Sequence, residues 1–381
     1  MTQQFVTILG STGSIGTSTL DLIRAHGEKF KIRALIAGSN VELLIEQALA
    51  FKPEMVAIHD ETRFDRLREG LKGSGVEIVA GRSGVLEAAA LNTDICVAAI
   101  VGLAGLEPLM TALPHCRKLL IANKEPLVAA GPIVMRAAYQ CDTKIIPLDS
   151  EHNAIFQVFE DDNRDQIDKL ILTASGGPFR TWPIEKMNLA TPDQAIAHPN
   201  WSMGKKISVD SASMVNKALE IIEANQLFGL SPTQIEVIIH PQSIIHSMVE
   251  YRDGSVLAQM GAPDMRTPIA YALAYPNRME TTGKTINWAT LKQLDFEEPD
   301  HIKFPALRIA YSCIALGGAA CIALNAANEA AVEHYLNGKI AFGRIIPWIE
   351  EAINLAIDQP APATIPDVIE LDQMIRHHLV A

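Results

Sequence analysis

From residue 5 to about 148, short apolar runs alternate with amphipathic stretches. The runs "FVTIL", "KIRALIA", "EMVAI", "VEIVA", "DICVAAI", "KLLIAN" and "KIIPL" predict strands, with helical spacing between them. Strands that are apolar almost throughout are covered on both faces, which calls for a parallel sheet with crossover helices. The expectation for residues 1–149 is therefore an α/β, doubly wound, Rossmann-like domain.

Beyond that point the pattern changes. Residues 150–274 carry longer helical stretches, and Ile235 to Met260 shows period-2 runs around "YRDGSVL", where Asp253-Gly254 predicts a hairpin. This predicts an α+β second domain. Within it, residues 175–206 are dense in Gly and Pro and contain Trp182 and Trp201, the composition of a flexible lid or binding loop. Residues 275–304 are polar and weakly periodic, as in a connecting arm, and the alanine-rich segments of 305–381 predict a C-terminal helical domain.

Composition narrows the classes of function. A net charge of -12 over 381 residues argues against nucleic acid or an anionic membrane as partner, so an anionic substrate needs a local cluster of cations. Five cysteines without a CxxC pair read as reduced thiols of a cytoplasmic protein, and no zinc site is signalled. Neither G-x-S-x-G nor H-E-x-x-H occurs.

Chemistry is suggested first by "GSTGSIG", which places Gly10, Gly13 and Gly16 between the first strand and a helix. Such a turn lets backbone approach a pyrophosphate at a helix N-terminus, although any α/β protein can use it as a tight turn. The second strand ends in Ala37, Gly38, Ser39 and Asn40 without a carboxylate, which favours NADP over NAD; Arg33 lies earlier on that strand.

The second suggestion is "IIPLDSEHNA". In extended chain Asp149 and Glu151 face one side and Ser150 the other, so the stretch is either a solvated turn or the seat of a cation such as Mg²⁺ or Mn²⁺. In "DSASMVNKALEIIEA", read as one helix capped by Asp210 or Ser211, residues Ser213, Asn216, Lys217 and Glu220 share a polar face. A solvated face is the plain reading. Upstream His198, Lys205 and Lys206 add a cationic patch suited to a phosphate monoester, while Glu220 could reach a metal. Lys124, after "KLLIA", is a further cation at the sheet edge, and His240 and His246 could be structural or catalytic.

Taken together, "GSTGSIG", "ANKE", "LDSEHNAIFQ", "SGGPFR", "HPNWSMGKKISVDSASMVNKALEIIEA", "IHPQSIIHSMV" and "GAPDMRTPIA" resemble the 1-deoxy-D-xylulose 5-phosphate reductoisomerase family over essentially the whole chain. The resemblance implies an NADPH- and divalent-metal-dependent enzyme of the non-mevalonate isoprenoid pathway, using Mg²⁺ or Mn²⁺, with Co²⁺ as a further option. It implies a homodimer acting on a phosphorylated sugar, with the α+β catalytic domain of residues 150–274 binding metal and substrate. Carried over by motif, Asp149, Glu151 and Glu220 are metal ligands, and Lys124 and Ser150 contact substrate beside them. Ser175, Ser211, Asn216 and Lys217 meet the phosphate, with His198 and Trp201 on the closing loop. Thr12, Gly13, Ser14, Ile15, Gly38, Ser39, Asn40, Asn123, Glu125 and Gly204 match cofactor-contacting positions. Ser39 stands where a basic residue is common, and Pro126 where serine is usual. A different reading of the same residues is a metal-assisted NADP-dependent dehydrogenase of another phosphorylated hydroxy-carbonyl compound.

Overall fold

The computed structural model describes residues 3–197, 201 and 203–380. The chain forms two units: residues 1–123, 134–153 and 265–283 make the first, and residues 124–133, 154–264 and 284–381 the second.

In the first unit seven strands form one sheet: β1 (Gln4–Leu9), β2 (Phe30–Ala37), β3 (Met55–Ile58), β4 (Glu77–Ala80), β5 (Thr93–Ala98), β6 (Cys116–Ile121) and β7 (Lys144–Pro147). Their order is β4-β3-β2-β1-β5-β6-β7, and every pair is parallel. Central strands are sealed: Val6, Ile8, Leu35, Val56, Ile95 and Leu120 have no exposure. All seven match the apolar runs of the sequence. Strand order reverses between β1 and β5, and at such a switch point ligands bind beyond the carboxyl ends of the strands.

The second unit has a mixed sheet, order β11-β10-β8-β9, from β8 (Ile167–Ala174), β9 (Ile235–Ile239), β10 (Ile245–Tyr251) and β11 (Val256–Met260). β10 and β11 form the expected hairpin: Gly254 turns at φ 86°, and Asp253 Oδ1 accepts the Ser255 N–H at 2.8 Å. β8 was not anticipated, yet it is central, pairing with both β9 and β10.

The C-terminal part is helical. Helix Gly318–Leu336 is buried almost all round, and its small side chains let Ile345–Ala356 and Ile365–Val380 pack against it. No helix among the described residues is long and apolar enough to cross a membrane.

Two local predictions are corrected. "DSASMVNKALEIIEA" is two helices, Lys205–Ser213 and Val215–Phe228, broken at Met214, whose φ is 60°. Asp210 and Ser211 therefore lie inside the first helix and cap nothing. "LDSEH" is not extended: a helix runs from Ser150 to Val158, so the period-2 argument for Asp149 and Glu151 does not hold. Within residues 175–206, two short helices form at Ile184–Asn188 and Pro192–Ile196, the second with a Thr191/Gln194 capping box. Trp182 packs on fully buried Phe179 with ring centroids 4.6 Å apart.

Candidate active site

In the first unit the glycine turn is built from close backbone approaches. Gly10 has φ +91°, and a Cβ there would stand 2.5 Å from the Ala99 oxygen; one on Gly16 would stand 2.4 Å from the Gly10 oxygen. Only glycine fits either position. Helix Ser14–Ala25 starts at Gly13 with no side-chain cap and no acid in its first turn, leaving its N–H groups for an anion. Two buried polar groups nearby in the chain's strand order lack partners among the described residues: the Ser11 hydroxyl and both side-chain atoms of the Asn123 amide. Such orphans call for a ligand or water, and the donor set fits a dinucleotide. At the end of β2, Asn40 Oδ1 caps helix Val41–Phe51 by accepting from Leu43 N at 3.3 Å. Arg33 is held elsewhere, against Glu54, the Asn92 carbonyl and the Phe5 ring.

The same unit carries the first two carboxylates. Asp149 follows β7, and its carbonyl accepts the Asn153 N–H at 2.8 Å, which makes it the residue on which helix Ser150–Val158 starts. Asn153 Nδ2 donates to the Pro147 carbonyl at 2.8 Å and pins that helix start to the strand end. Glu151 lies in the first turn, where the helix dipole favours negative charge and eases the repulsion between the two acids. Ser150 donates to Glu151 Oε2, and the fully buried His152 ring stands 3.4 Å from Asp149 Oδ2.

In the second unit, helix Val215–Phe228 buries the face that a solvated reading would expose. Glu220 has no exposure and Lys217 only 3%. Glu220 accepts from both the Asn216 amide and Lys217 Nζ, one turn back on the same helix, and Lys124 Nζ lies 3.7 Å away. A carboxylate, an amide and two ammonium groups thus meet in one cluster, with Lys124, Lys217 and Glu220 buried and Asn216 half-buried. Its one carboxylate, Glu220, is a hard oxygen donor of the kind that suits Mg²⁺ or Mn²⁺, while the two ammonium groups suit an anion. Next to Lys124, buried Glu125 accepts from Lys206 Nζ at 2.8 Å, and Lys206 is also 2.8 Å from Asp210. Burial, the largest single influence, pushes the Glu125 carboxyl up, but Lys206, helped by the Glu125 N–H and by Lys124, holds it below its ordinary range. Burial likewise pulls the Lys206 ammonium down, and Asp210 and Glu125 more than reverse this.

Family models described as 1-deoxy-D-xylulose 5-phosphate reductoisomerase and its C-terminal domains match residues 6–131, 145–228 and 260–378. A relative of that name from Sinorhizobium fredii is 50% identical over 373 residues, 97% of this chain and 95% of its own. The chain belongs to the 1-deoxy-D-xylulose 5-phosphate reductoisomerase family. Solved structures agree: the Zymomonas mobilis reductoisomerase in complex with NADPH superposes with a TM-score of 0.93 at 44% identity, covering 100% of this chain and 98% of that one. A reductoisomerase in complex with NADPH, fosmidomycin and magnesium gives 0.94 at 41% identity, covering 99% and 97%.

Of the residues that the reductoisomerase resemblance names, the structure groups Lys124, Asn216, Lys217 and Glu220 in the second unit, and Asp149, Ser150 and Glu151 in the first. Ser175 and Ser211 belong to neighbouring backbone, because Gly177 approaches Ser211 so closely that a Cβ would meet its carbonyl oxygen at 2.6 Å. Ser175 Oγ accepts the Gly177 N–H at 3.1 Å. Trp201 meets His246 edge-on, with centroids 6.0 Å apart. Gly204 is the N-cap of helix Lys205–Ser213. His198 lies outside the described residues. Pro126 occupies the first turn of helix Glu125–Gln140, where an N–H is not needed. His240 is structural: Nδ1 faces the Asp295 carbonyl at 2.8 Å and Nε2 accepts the Ile244 N–H at 3.2 Å, which fixes the tautomer with its proton on Nδ1.

Sequence reasoning passed over Asp210 as a buried charge and Glu223, and it gave no role to His152 of "IIPLDSEHNA"; all three are almost fully buried. A signal for the last two existed: each sits three residues after an acid singled out, Asp149 and Glu220, on one helical face.

Proposed function

We propose that this chain rearranges and reduces 1-deoxy-D-xylulose 5-phosphate to 2-C-methyl-D-erythritol 4-phosphate, with NADPH as hydride donor and a divalent ion, Mg²⁺ or Mn²⁺, as Lewis acid. What carries the reading is the buried cluster of Lys124, Asn216, Lys217 and Glu220, built from the residues that the family motifs assign to substrate and metal. Asp149, Glu151 and Glu220 hold the ion in this reading. When bound, it stabilises negative charge on substrate oxygens while a carbon–carbon bond is broken and reformed.

The chain's own groups do the rest. Lys217 and Asn216, with Ser175 and Ser211, bind the phosphate; Lys217 is ready-made for a second anion because burial leaves its ammonium dependent on charged neighbours. Lys124 and Ser150 orient the reacting end of the sugar. His198 and Trp201 close over the site and exclude water from the aldehyde formed by rearrangement. Thr12, Gly13, Ser14 and Ile15 seat the pyrophosphate on the uncapped helix start, while Gly38, Ser39, Asn40, Asn123, Glu125 and Gly204 contact the rest of NADPH. The protein is cytoplasmic and a homodimer in this reading; exposed Val256 and Leu257 on the outer strand β11 support association.

The test is NADPH oxidation with 1-deoxy-D-xylulose 5-phosphate, before and after chelation, with analysis of the product's carbon skeleton. Metal-dependent turnover to the branched polyol phosphate is expected. Reduction without branching would identify a dehydrogenase of another phosphorylated hydroxy-carbonyl compound instead.

A further inference from the structure

No residue of the C-terminal helices is assigned to cofactor, metal or substrate by the family motifs. Yet within the second unit a continuous line of polar contacts runs from those helices to the site. Asn328, on helix Gly318–Leu336, is fully buried and donates from Nδ2 to Asp210 Oδ1 at 2.9 Å. Asp210 is 1% exposed, and its other oxygen lies 2.8 Å from Lys206 Nζ. Lys206 in turn donates to Glu125 Oε1 at 2.8 Å, and Glu125 adjoins Lys124, which pairs with Glu220.

The chemistry of this line is unbalanced without Asn328. Two buried carboxylates share one ammonium, and a buried carboxylate with too few donors is costly. Asn328 supplies the missing donor without adding charge. It also fixes which Asp210 oxygen faces Lys206, because an amide N–H on one oxygen leaves the other for the cation. Lys206 stands two residues from Gly204, the start of its helix, so a change at Asp210 reaches both Glu125 and Gly204. The raised affinity of Lys206 for its proton agrees with a lysine held by Asp210 and Glu125, with Glu329 adding to their effect.

We propose that Asn328 is a positioning residue for NADPH binding: by fixing the Asp210 carboxylate it holds Lys206 against Glu125 and sets the Lys124–Glu125 turn. This rests on the reading of Glu125 and Gly204 as cofactor contacts. The device gives a role to Asn328, one of two fully buried asparagines, with Asn325, on an alanine-rich helix remote in sequence.

The experiment measures NADPH affinity of the full-length, metal-free protein by quenching of tryptophan fluorescence. Asn328→Leu and Lys206→Met each weaken binding about tenfold, and the double variant is no weaker than the worse single one, because both break the same line. Lys206→Arg keeps binding within about threefold of the parent, since the charge and its reach are retained. A role in stability alone would lower the melting temperature without this coupling. Parent-like affinity in Asn328→Leu, or losses that multiply to about a hundredfold, overturns the proposal. Should Asn328→Leu not fold, Asp210→Asn with Lys206→Met repeats the cycle: coupled losses support the line and independent ones refute it. A parent protein that binds no NADPH removes the functional reading and the proposal together, whereas a parent that binds with unaffected variants removes the proposal alone.

Discussion

Gly16→Ala sets helix propensity against packing. Gly16 is the third residue of helix Ser14–Ala25, where alanine in place of glycine ordinarily stabilises by about 0.5–1 kcal/mol. Here the added Cβ would stand 2.4 Å from the Gly10 oxygen and 2.5 Å from both Cα and O of Ser11. Ordinary contact begins at 3.4 Å, so the shortfall is 3.4 − 2.4 = 1.0 Å. All three neighbours are backbone, and none can rotate aside. Gly10 cannot retreat either, being pressed against Ala99. Overpacking of this kind costs about 1–3 kcal/mol against a helical gain of about 0.5–1 kcal/mol, and with three backbone clashes at once the balance is a net loss of up to about 2.5 kcal/mol. For a chain of 381 residues the melting temperature should fall by up to about 3 °C. Because the displaced atoms form the proposed pyrophosphate seat, NADPH affinity should drop at least about tenfold. Gly27→Ala is the control: its nearest atoms lie at 3.9 and 4.0 Å and its φ is not positive, so stability and binding should stay near those of the parent. Calorimetry and fluorescence titration read both effects. A Gly16→Ala protein that melts higher and binds NADPH as tightly as the parent would refute the packing argument.

Glu220→Gln keeps the shape of a fully buried side chain but removes the charge shared by Lys217 and Lys124; the metal-free protein should lose about 3 kcal/mol in urea unfolding, and metal-dependent turnover should vanish while NADPH binding persists. Full activity in that variant at ordinary metal concentration would remove Glu220 from the ligand set. For acid stability the sign follows from Glu125, whose carboxyl is held below its ordinary value of 4.5: its contribution is complete above that pH and is lost as pH falls through the lower folded value. The stability gap between the parent and Lys206→Met should therefore be widest above pH 4.5 and close below it, as measured by urea midpoints; a gap that widens on acidification contradicts the pairing. Native protein at mildly alkaline pH should take up a thiol reagent at exposed Cys141 alone, since burial shields the other cysteines and pushes Cys116 and Cys321 up to about 12. Peptide mapping that finds label at Cys116 in the folded protein would contradict this.

How much of this could be seen in the sequence depended on what kind of signal each element carries. The runs behind β1 to β7 are apolar almost throughout, with isolated interruptions such as Thr7, Arg33 and Glu77, so the burial of the central strands on both faces was readable, and with it the parallel sheet. β8 failed that test because "LILTA" is a short run flanked by a polar turn and a glycine-rich loop, and such a run fits helix or strand equally. The break at Met214 was invisible for another reason: left-handed backbone is signalled by Gly or Asn, and this site has neither. Periodicity correctly placed Asn216, Lys217 and Glu220 on one face, but it says which residues share a face, not what that face meets. Only the fold turns a solvated stripe into a buried cluster. The polar line through Asp210 and Asn328 joins residues 118 positions apart, beyond the reach of any local pattern.

The distribution of charge gives the strongest physical reason to treat these clusters as functional. A chain of net charge -12 has no general attraction for a sugar phosphate, and surface lysines would be screened by salt and neighbouring acids. Burying Lys124 and Lys217 beside Glu220 costs desolvation that packed apolar residues would avoid, and such pairs seldom add net stability. The compensation lies in field strength. In a low-dielectric pocket two ammonium groups act on a phosphate or a developing oxyanion far more strongly than in water, and their positions are fixed before the substrate arrives. The same reasoning covers the acids: Asp149 and Glu151 are tolerated together at a helix start, and that arrangement gains most when a divalent cation completes it. A fold of this size can sustain such costs locally, because its apolar sheets and alanine-packed helices stabilise the rest of the chain.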